Sequence, residues 1–128
     1  MRLLLDTHAV LWFAAGDSAL STIARDHTLD PENVVFVSHA TVWELAIKTS
    51  LGKLKLDREL ARWIDRHVVG NGFEQLAIAL PHVTRVARLP HYHGDPFDRL
   101  LVAQCEAERL AIVSRDPMFD RYGINRIW

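Results

Sequence analysis

Short segments rich in branched apolar residues alternate with segments of helical character along this chain. Three of them, residues 3–5, 34–37 and 111–113, are continuous apolar runs of the kind that form strands buried on both faces. Strands separated by helices pair in parallel through right-handed crossovers, and the helices cover both faces of the sheet. The alternation therefore predicts an α/β fold in which a parallel β-sheet is flanked by helices on both faces.

The segments between these strands carry helix start and stop signals. Ser38 and Asp57 are candidate N-caps, and Gly16 and Gly52 are candidate helix ends. A chain of 128 residues suits one domain, and we expect residues 1–128 to form a single one. The predicted helices cover residues 7–15, 21–27, 40–51, 58–69, 81–89 and 96–109, and weaker strands are predicted near 76–78 and 125–128.

Composition limits the class of protein. Hydrophobic residues make up 49% of the chain and charged residues 24%, which excludes wholesale disorder. No apolar run approaches the roughly 20 residues of a membrane span, and Asp6 and His8 interrupt the first apolar stretch too early for a secretory signal. The lone Cys105 excludes an internal disulfide and a cysteine metal site. We therefore expect a cytoplasmic protein without membrane contact.

Four acidic residues fall near the carboxyl ends of the predicted strands, where ligands bind in open parallel sheets. Asp6 directly follows the first strand, and Asp116 lies just past the last strong one. Glu44 lies in the first turns of the helix after the second strand. Asp98 lies in the first turn of the helix that leads into the strand before Asp116. This order permits the four carboxylates to converge at one edge of the sheet.

Each acid also has a purely structural interpretation, which for Asp98 is a place three residues after the cap Asp95, as in a capping box. Asp6 and Asp116 are suited to cap helices, and Asp116 is followed by Pro117 at a favoured first helical position. Glu44 and Lys48 have the i,i+4 spacing of a surface ion pair, which contributes only about 0.2–0.5 kcal/mol. Capping does not require that all the acids lie at one end of the sheet, and their shared position favours a common site.

Clustered carboxylates repel each other, by about 1 kcal/mol per pair at 4 Å in water and about 4 kcal/mol at an effective dielectric constant of 20. A hard divalent cation removes this repulsion. Mg²⁺ binds oxygen ligands and keeps several waters, and Mn²⁺ has the same preference for oxygen. Such an ion lowers the pKa of a bound water and neutralises charge on a phosphodiester. The pattern therefore favours metal-dependent phosphodiester hydrolysis.

Four segments of the chain resemble the signatures of PIN-domain toxins of the VapC type. In chain order they are LLLDTH at 3–8, VSHATVWELAIK at 37–48, HGDPFDRLLVAQ at 93–104 and SRDPMF at 114–119. The combination covers nearly the whole chain and is far more specific than any single segment. Two positions depart from the family pattern: Gly94 stands where Arg is frequent, and Ser114 stands where Thr is common. Neither departure removes a carboxylate or the hydroxyl group.

The resemblance implies a Mg²⁺- or Mn²⁺-dependent endoribonuclease, the toxin of a toxin–antitoxin pair. It implies products with 5′-phosphate and 3′-hydroxyl ends, an antitoxin protein as partner, RNA as substrate and a homodimer. Asp95 is interpreted as a helix cap rather than a ligand. The positions that match the family's acidic quartet, and so its catalytic and metal-binding residues, are Asp6, Glu44, Asp98 and Asp116, with Thr7 and Ser114 as supporting hydroxyl groups.

A basic stretch occupies the middle of the chain. Residues 45–93 carry eight basic and four acidic residues, whereas residues 1–44 carry two basic and six acidic ones. Lys48, Arg58, Arg62 and Arg66 are candidate contacts for an RNA backbone or for the antitoxin. The alternative is an exposed helical face, partly neutralised by neighbouring acids.

Two other functions are compatible with parts of the pattern. One is a binding module that keeps the fold without catalysis, which does not explain the complete set of acids. The other is a phosphatase with an aspartyl nucleophile after the first strand, but such enzymes usually carry a second acid two residues later, where this chain has His8.

The segment His91–Tyr92–His93 has no cysteine or third histidine at a spacing that would complete a zinc site. We expect these histidines to serve in a loop or in a hydrogen bond near the acidic pocket.

Overall fold

The computed structural model describes residues 1–128. Its centre is a five-stranded sheet in the order β3-β2-β1-β4-β5, in which every neighbouring pair is parallel. The strands are β1 (Arg2–Leu5), β2 (Val34–Ser38), β3 (Glu74–Leu76), β4 (Ala111–Val113) and β5 (Arg126–Ile127). The strand order reverses at β1 and β4, the point at which open α/β sheets bind their ligands.

Helices connect the strands. They are α1 (Thr7–Ala15), α2 (Thr22–Leu29), α3 (His39–Ser50), α4 (Leu60–Ile64), α5 (Leu80–Val86) and α6 (Pro96–Glu108). A π-helical turn, Asp65–Val69, continues α4, and a 3₁₀ helix, Pro117–Tyr122, follows β4. None of the helices combines the length and the apolar character that a membrane crossing requires.

The sheet has a separate apolar core on each face. Because side chains alternate along a strand, Leu3 and Leu5 of β1 join one core and Leu4 joins the other. The first core includes residues of α1, α2 and α4, whereas the second is formed largely by α6. The predicted α/β class, with a parallel sheet and helices on both faces, is therefore confirmed.

The helix predicted over residues 58–69 is shorter at its start in the structure and is not α-helical throughout. Asp57 does not cap it; the helix begins at Leu60, and Asp57 pairs with the neighbouring Arg58 at 3.3 Å. Its second half is π-helical and ends with the amide of Gly70 donating to the carbonyl oxygen of Asp65 at 2.8 Å. A Cβ at Gly70 would lie 2.3 Å from the Arg66 carbonyl oxygen, so this close return of the backbone requires glycine.

The helix predicted over residues 81–89 ends early, at Val86. The side chain of Arg99, from α6, donates to the carbonyl oxygens of Val86 and Leu89 at 3.2 and 3.3 Å. A side chain distant in sequence thus satisfies carbonyl groups at the end of this segment, which no local pattern indicates. The strand predicted near 76–78 forms slightly earlier, at Glu74–Leu76.

Candidate active site

Asp6 lies at the carboxyl end of the central strand β1 and caps α1. Its Oδ1 accepts a hydrogen bond from the amide of Ala9 at 2.8 Å, and the residue is only 6% exposed. Burial raises the pKa of Asp6, and the nearby charge of Asp116 adds to this effect. The hydroxyl of Ser114 and the Ala9 amide act in the opposite direction, but burial dominates. Asp6 is therefore both a structural cap and a buried acid.

Asp116 follows the neighbouring strand β4 and is held in the same way. Its amide donates to the Ser114 hydroxyl at 3.0 Å, and its Oδ1 accepts from the amide of Met118 at 2.9 Å. Ser114 is completely buried, and besides accepting from the Asp116 amide its hydroxyl lowers the pKa of Asp6. The supporting hydroxyl predicted at this position thus contacts the side chain of Asp6 and the backbone of Asp116.

Asp98 lies in the first turn of α6, behind the cap formed by Asp95. The Asp95 side chain accepts from the amides of Phe97 and Asp98 at 2.8 and 3.0 Å, which agrees with its interpretation as a cap. The pKa of Asp98 is raised to about 7, mainly by burial and further by the charges of Asp95, Asp6 and Glu44. His93 lowers it only in part. Negative charges from three different parts of the chain therefore make Asp98 harder to ionise.

Glu44 projects from α3 and is 7% exposed. The hydroxyl of Thr7 donates to its Oε1 at 2.6 Å, and the ammonium group of Lys48 lies 2.7 Å from its Oε2. The i,i+4 ion pair considered from the sequence is thus formed, but with a buried carboxylate. Lys48 is therefore engaged with the acidic site, away from the other basic residues named as RNA or antitoxin contacts.

His93 lies between two of the acids. Its Nε2 is 3.0 Å from Oδ2 of Asp98 and 3.1 Å from Oδ2 of Asp116. One potential ligand atom from each of these three residues lies within 4.8 Å of the others. The expected hydrogen bond near the acidic pocket is confirmed for His93, whereas the sequence did not indicate that it would join two separate acids.

An open cavity of about 330 Å³ lies in front of Asp6 and Asp116. His8 and Arg115 also line it, and both contact Trp12: the His8 ring stacks at 5.4 Å between centroids, and the Arg115 guanidinium lies 4.8 Å from the indole. His8 and Arg115 were not among the predicted site residues. The only sequence signal for them is their position, since His8 lies two residues after Asp6 and Arg115 directly precedes Asp116.

Arg58, Arg62 and Arg66 line a different cavity, of about 700 Å³. Between it and the acidic cavity lies a mostly apolar groove of about 470 Å³. The apolar groove shares Trp12 with the acidic cavity, and it shares Ala14 and His67 with the arginine cavity. The three depressions therefore lie next to one another on the surface, in the order acids, apolar groove, arginines.

The donor set suits a hard divalent cation. All four acids offer carboxylate oxygens, and repulsion among two buried and two partly buried acids favours the binding of positive charge. The caps of Asp6 and Asp116 fix these carboxylates while each oxygen retains a free lone pair. The residues present therefore fit a magnesium or manganese ion.

Comparison with known proteins agrees with this geometry. The family model described as PIN domain matches residues 3–125. The chain belongs to the PIN-domain family. PIN domains are generally nucleases that use divalent metal ions, and this chain contains an acidic cluster with His93, Asp98 and Asp116 close together.

Solved structures of two other proteins share the fold. The structure of VapBC2 from Rickettsia felis bound to a DNA fragment of the VapBC2 promoter matches with a TM-score of 0.72 at 14% identity, over 100% of both chains. FitAcB from Neisseria gonorrhoeae matches with a TM-score of 0.60 at 20% identity, over 97% of this chain and 95% of the other. No curated protein sequence gives a significant match.

Proposed function

We propose that this PIN domain is the endoribonuclease toxin of a VapC-type toxin–antitoxin pair and that it hydrolyses RNA with Mg²⁺ or Mn²⁺. The proposal rests on one observation: ligand atoms of Asp98 and Asp116 lie within 4.8 Å of each other, and Asp116 lines one cavity with the buried Asp6. The charges of Asp6 and Glu44 raise the pKa of Asp98, and the charge of Asp116 raises the pKa of Asp6. Carboxylates that repel one another in a partly buried site carry a free-energy cost that a bound cation removes.

Asp6, Asp98 and Asp116 are the residues that would hold the metal, and Glu44 would assist directly or through a water. When bound, the ion supplies a water of lowered pKa and neutralises charge on the phosphodiester. The chain's own contribution is to fix the carboxylates. The Ala9 amide holds the Asp6 carboxylate, the Met118 amide holds that of Asp116, and the Thr7 hydroxyl holds that of Glu44. Carboxylates fixed in this way would hold the metal and its water in one orientation toward a bound RNA strand, with little rearrangement of the protein.

We further propose an antitoxin as partner, a homodimer and a cytoplasmic location. Both relatives described above bear the names of toxin–antitoxin proteins, which supports an antitoxin partner. Trp43 is 57% exposed, packs edge-on against Phe97 with 5.1 Å between ring centroids, and is available for a contact between two copies.

The proposed function is tested by incubating the purified protein with RNA in the presence of Mg²⁺ or Mn²⁺. We expect cleavage that EDTA abolishes and that renewed metal restores. The resemblance to the toxin family implies products with 5′-phosphate and 3′-hydroxyl ends, which ligation-based sequencing distinguishes from other termini. Sequencing RNA ends after induction in cells then gives the target.

Two outcomes would contradict the proposal. Cleavage that persists in EDTA would exclude the metal-dependent reaction. The absence of EDTA-sensitive turnover on every RNA tested, with a folded protein that still binds RNA, would favour a binding module of the same fold.

The arginine cavity is the proposed contact for the RNA backbone. Replacing Arg62 and Arg66 together by alanine should weaken RNA binding at low salt and reduce the salt dependence of binding, because each lost phosphate contact lowers the slope by about 0.7 for a single strand. Fluorescence anisotropy over a salt series measures both effects. Lys53→Ala is the matched control, since Lys53 is exposed in the same basic stretch but lines none of the cavities described. Unchanged RNA affinity together with weakened antitoxin binding would assign the cavity to the antitoxin instead.

A further inference from the structure

The ring of His93 is held in one orientation by hydrogen bonds at both nitrogens. The amide of Asp95 donates to Nδ1 at 3.0 Å. A backbone amide is always a donor, so Nδ1 must accept, and in the neutral imidazole the proton then lies on Nε2. His93 therefore presents an N–H group, rather than a lone pair, to the acidic site.

That N–H group faces two carboxylates from different elements. Oδ2 of Asp98 lies 3.0 Å from Nε2 and belongs to the start of α6, whereas Oδ2 of Asp116 lies 3.1 Å away and belongs to the segment after β4. A carboxylate has about four lone-pair sites, so this contact leaves each acid able to bind a metal. By distance alone, His93, Asp98 and Asp116 resemble a set of three metal ligands. The hydrogen on Nε2 removes His93 from that set.

The segment that carries His93 is fixed by groups outside the site. The amide of His93 donates to the hydroxyl of Tyr122 at 2.9 Å. Arg99 donates to the same hydroxyl at 3.3 Å and to the carbonyl oxygen of Pro90 at 2.7 Å. Arg99 is buried, and its guanidinium joins α6 to the loop before His93. The position of the imidazole is therefore determined by the fold and does not depend on the acids alone.

We propose that His93 is a positioning residue, which holds Asp116 by a hydrogen bond from its Nε2–H, keeps Asp98 beside it at 3.0 Å, and does not itself bind the metal. The inference rests on the proposed metal-dependent function and adds a residue that sets the spacing of two ligands. Partners that orient metal ligands typically change metal affinity 10- to 100-fold when removed.

The test is Mn²⁺ binding, measured by calorimetry and by electron paramagnetic resonance on the RNA-free protein. We expect His93→Ala to weaken Mn²⁺ binding about 10- to 100-fold. His93→Gln should restore part of the affinity, because its amide supplies an N–H donor. The matched control is His91→Ala, since His91 is exposed two positions away and should leave the affinity unchanged. Circular dichroism and thermal melting show whether each variant is folded.

A pulsed resonance measurement distinguishes positioning from ligation. With histidine labelled by ¹⁵N, the wild-type Mn²⁺ complex should show no directly coordinated nitrogen. A directly coordinated nitrogen, or His93→Ala binding Mn²⁺ as well as or better than wild type, would overturn the proposal for His93 alone. If wild type bound no Mn²⁺, the metal-dependent function would fail, and the role of His93 with it. Should the alanine variant not fold, the glutamine variant and the nitrogen measurement still decide.

Discussion

Replacing Asp98 or Asp6 by asparagine should reduce RNA cleavage by about a thousandfold or more, because the loss of one carboxylate removes several kcal/mol of charge stabilisation by the metal. Asparagine has nearly the same shape and cannot carry the negative charge. At Asp6 it also retains an oxygen that can accept from the Ala9 amide, so α1 remains capped. We therefore expect the loss of cleavage and of growth inhibition without the loss of the fold.

The measurement is the cleavage rate at saturating metal, together with a melting curve for each variant. Asp26→Asn provides the matched control, because Asp26 is an exposed acid of α2 whose side chain takes no part in the site. Wild-type cleavage by the Asp6 or the Asp98 variant would show that the active site has been placed wrongly.

The stability of the metal-free protein should fall as the pH rises from about 4 to about 7. Burial and neighbouring acids raise the pKa of Asp98 from 3.8 to about 7 in the folded chain, so the folded state holds a proton that the unfolded state has lost. Stability decreases with pH wherever the folded state binds more protons. The contribution is fully present below pH 4 and is lost once Asp98 ionises. Divalent metal should reverse the loss, since it binds the ionised form.

Denaturant unfolding at pH 5 and pH 8, with and without Mn²⁺, measures this effect. Mn²⁺ should stabilise the protein strongly at pH 8 and little at pH 5. Asp98→Asn isolates the contribution of this one group, because asparagine does not titrate, and the variant should show a smaller dependence on both pH and metal. An identical pH profile in wild type and variant would contradict the raised pKa of Asp98.

Much of the fold followed from local sequence. The apolar runs at Leu3–Leu5 and Val34–Val37 form strands because buried β-branched and leucine side chains pack on both faces of a parallel sheet. Asp6 and Asp116 could be placed at one edge because parallel strands bring their carboxyl ends together. These predictions needed only chain order and periodicity.

The remainder depends on contacts between distant residues. Arg99 lies next to Asp98, yet its partners are carbonyl groups about ten residues earlier and the hydroxyl of Tyr122. The bridging position of His93 follows from those contacts, so no pattern within residues 91–93 specifies it. The π-helical turn after α4 likewise depends on how Asp65–Gly70 closes, since a periodic apolar face predicts only an ordinary helix.

The double role of Asp6 has a practical consequence. A side chain that begins a helix cannot be shortened without loosening the chain around it, so alanine at this position would confuse damage to the architecture with damage to the chemistry. An isosteric amide separates the two. The resulting variant would serve to test the proposed RNA substrate and antitoxin partner by capturing them from cells.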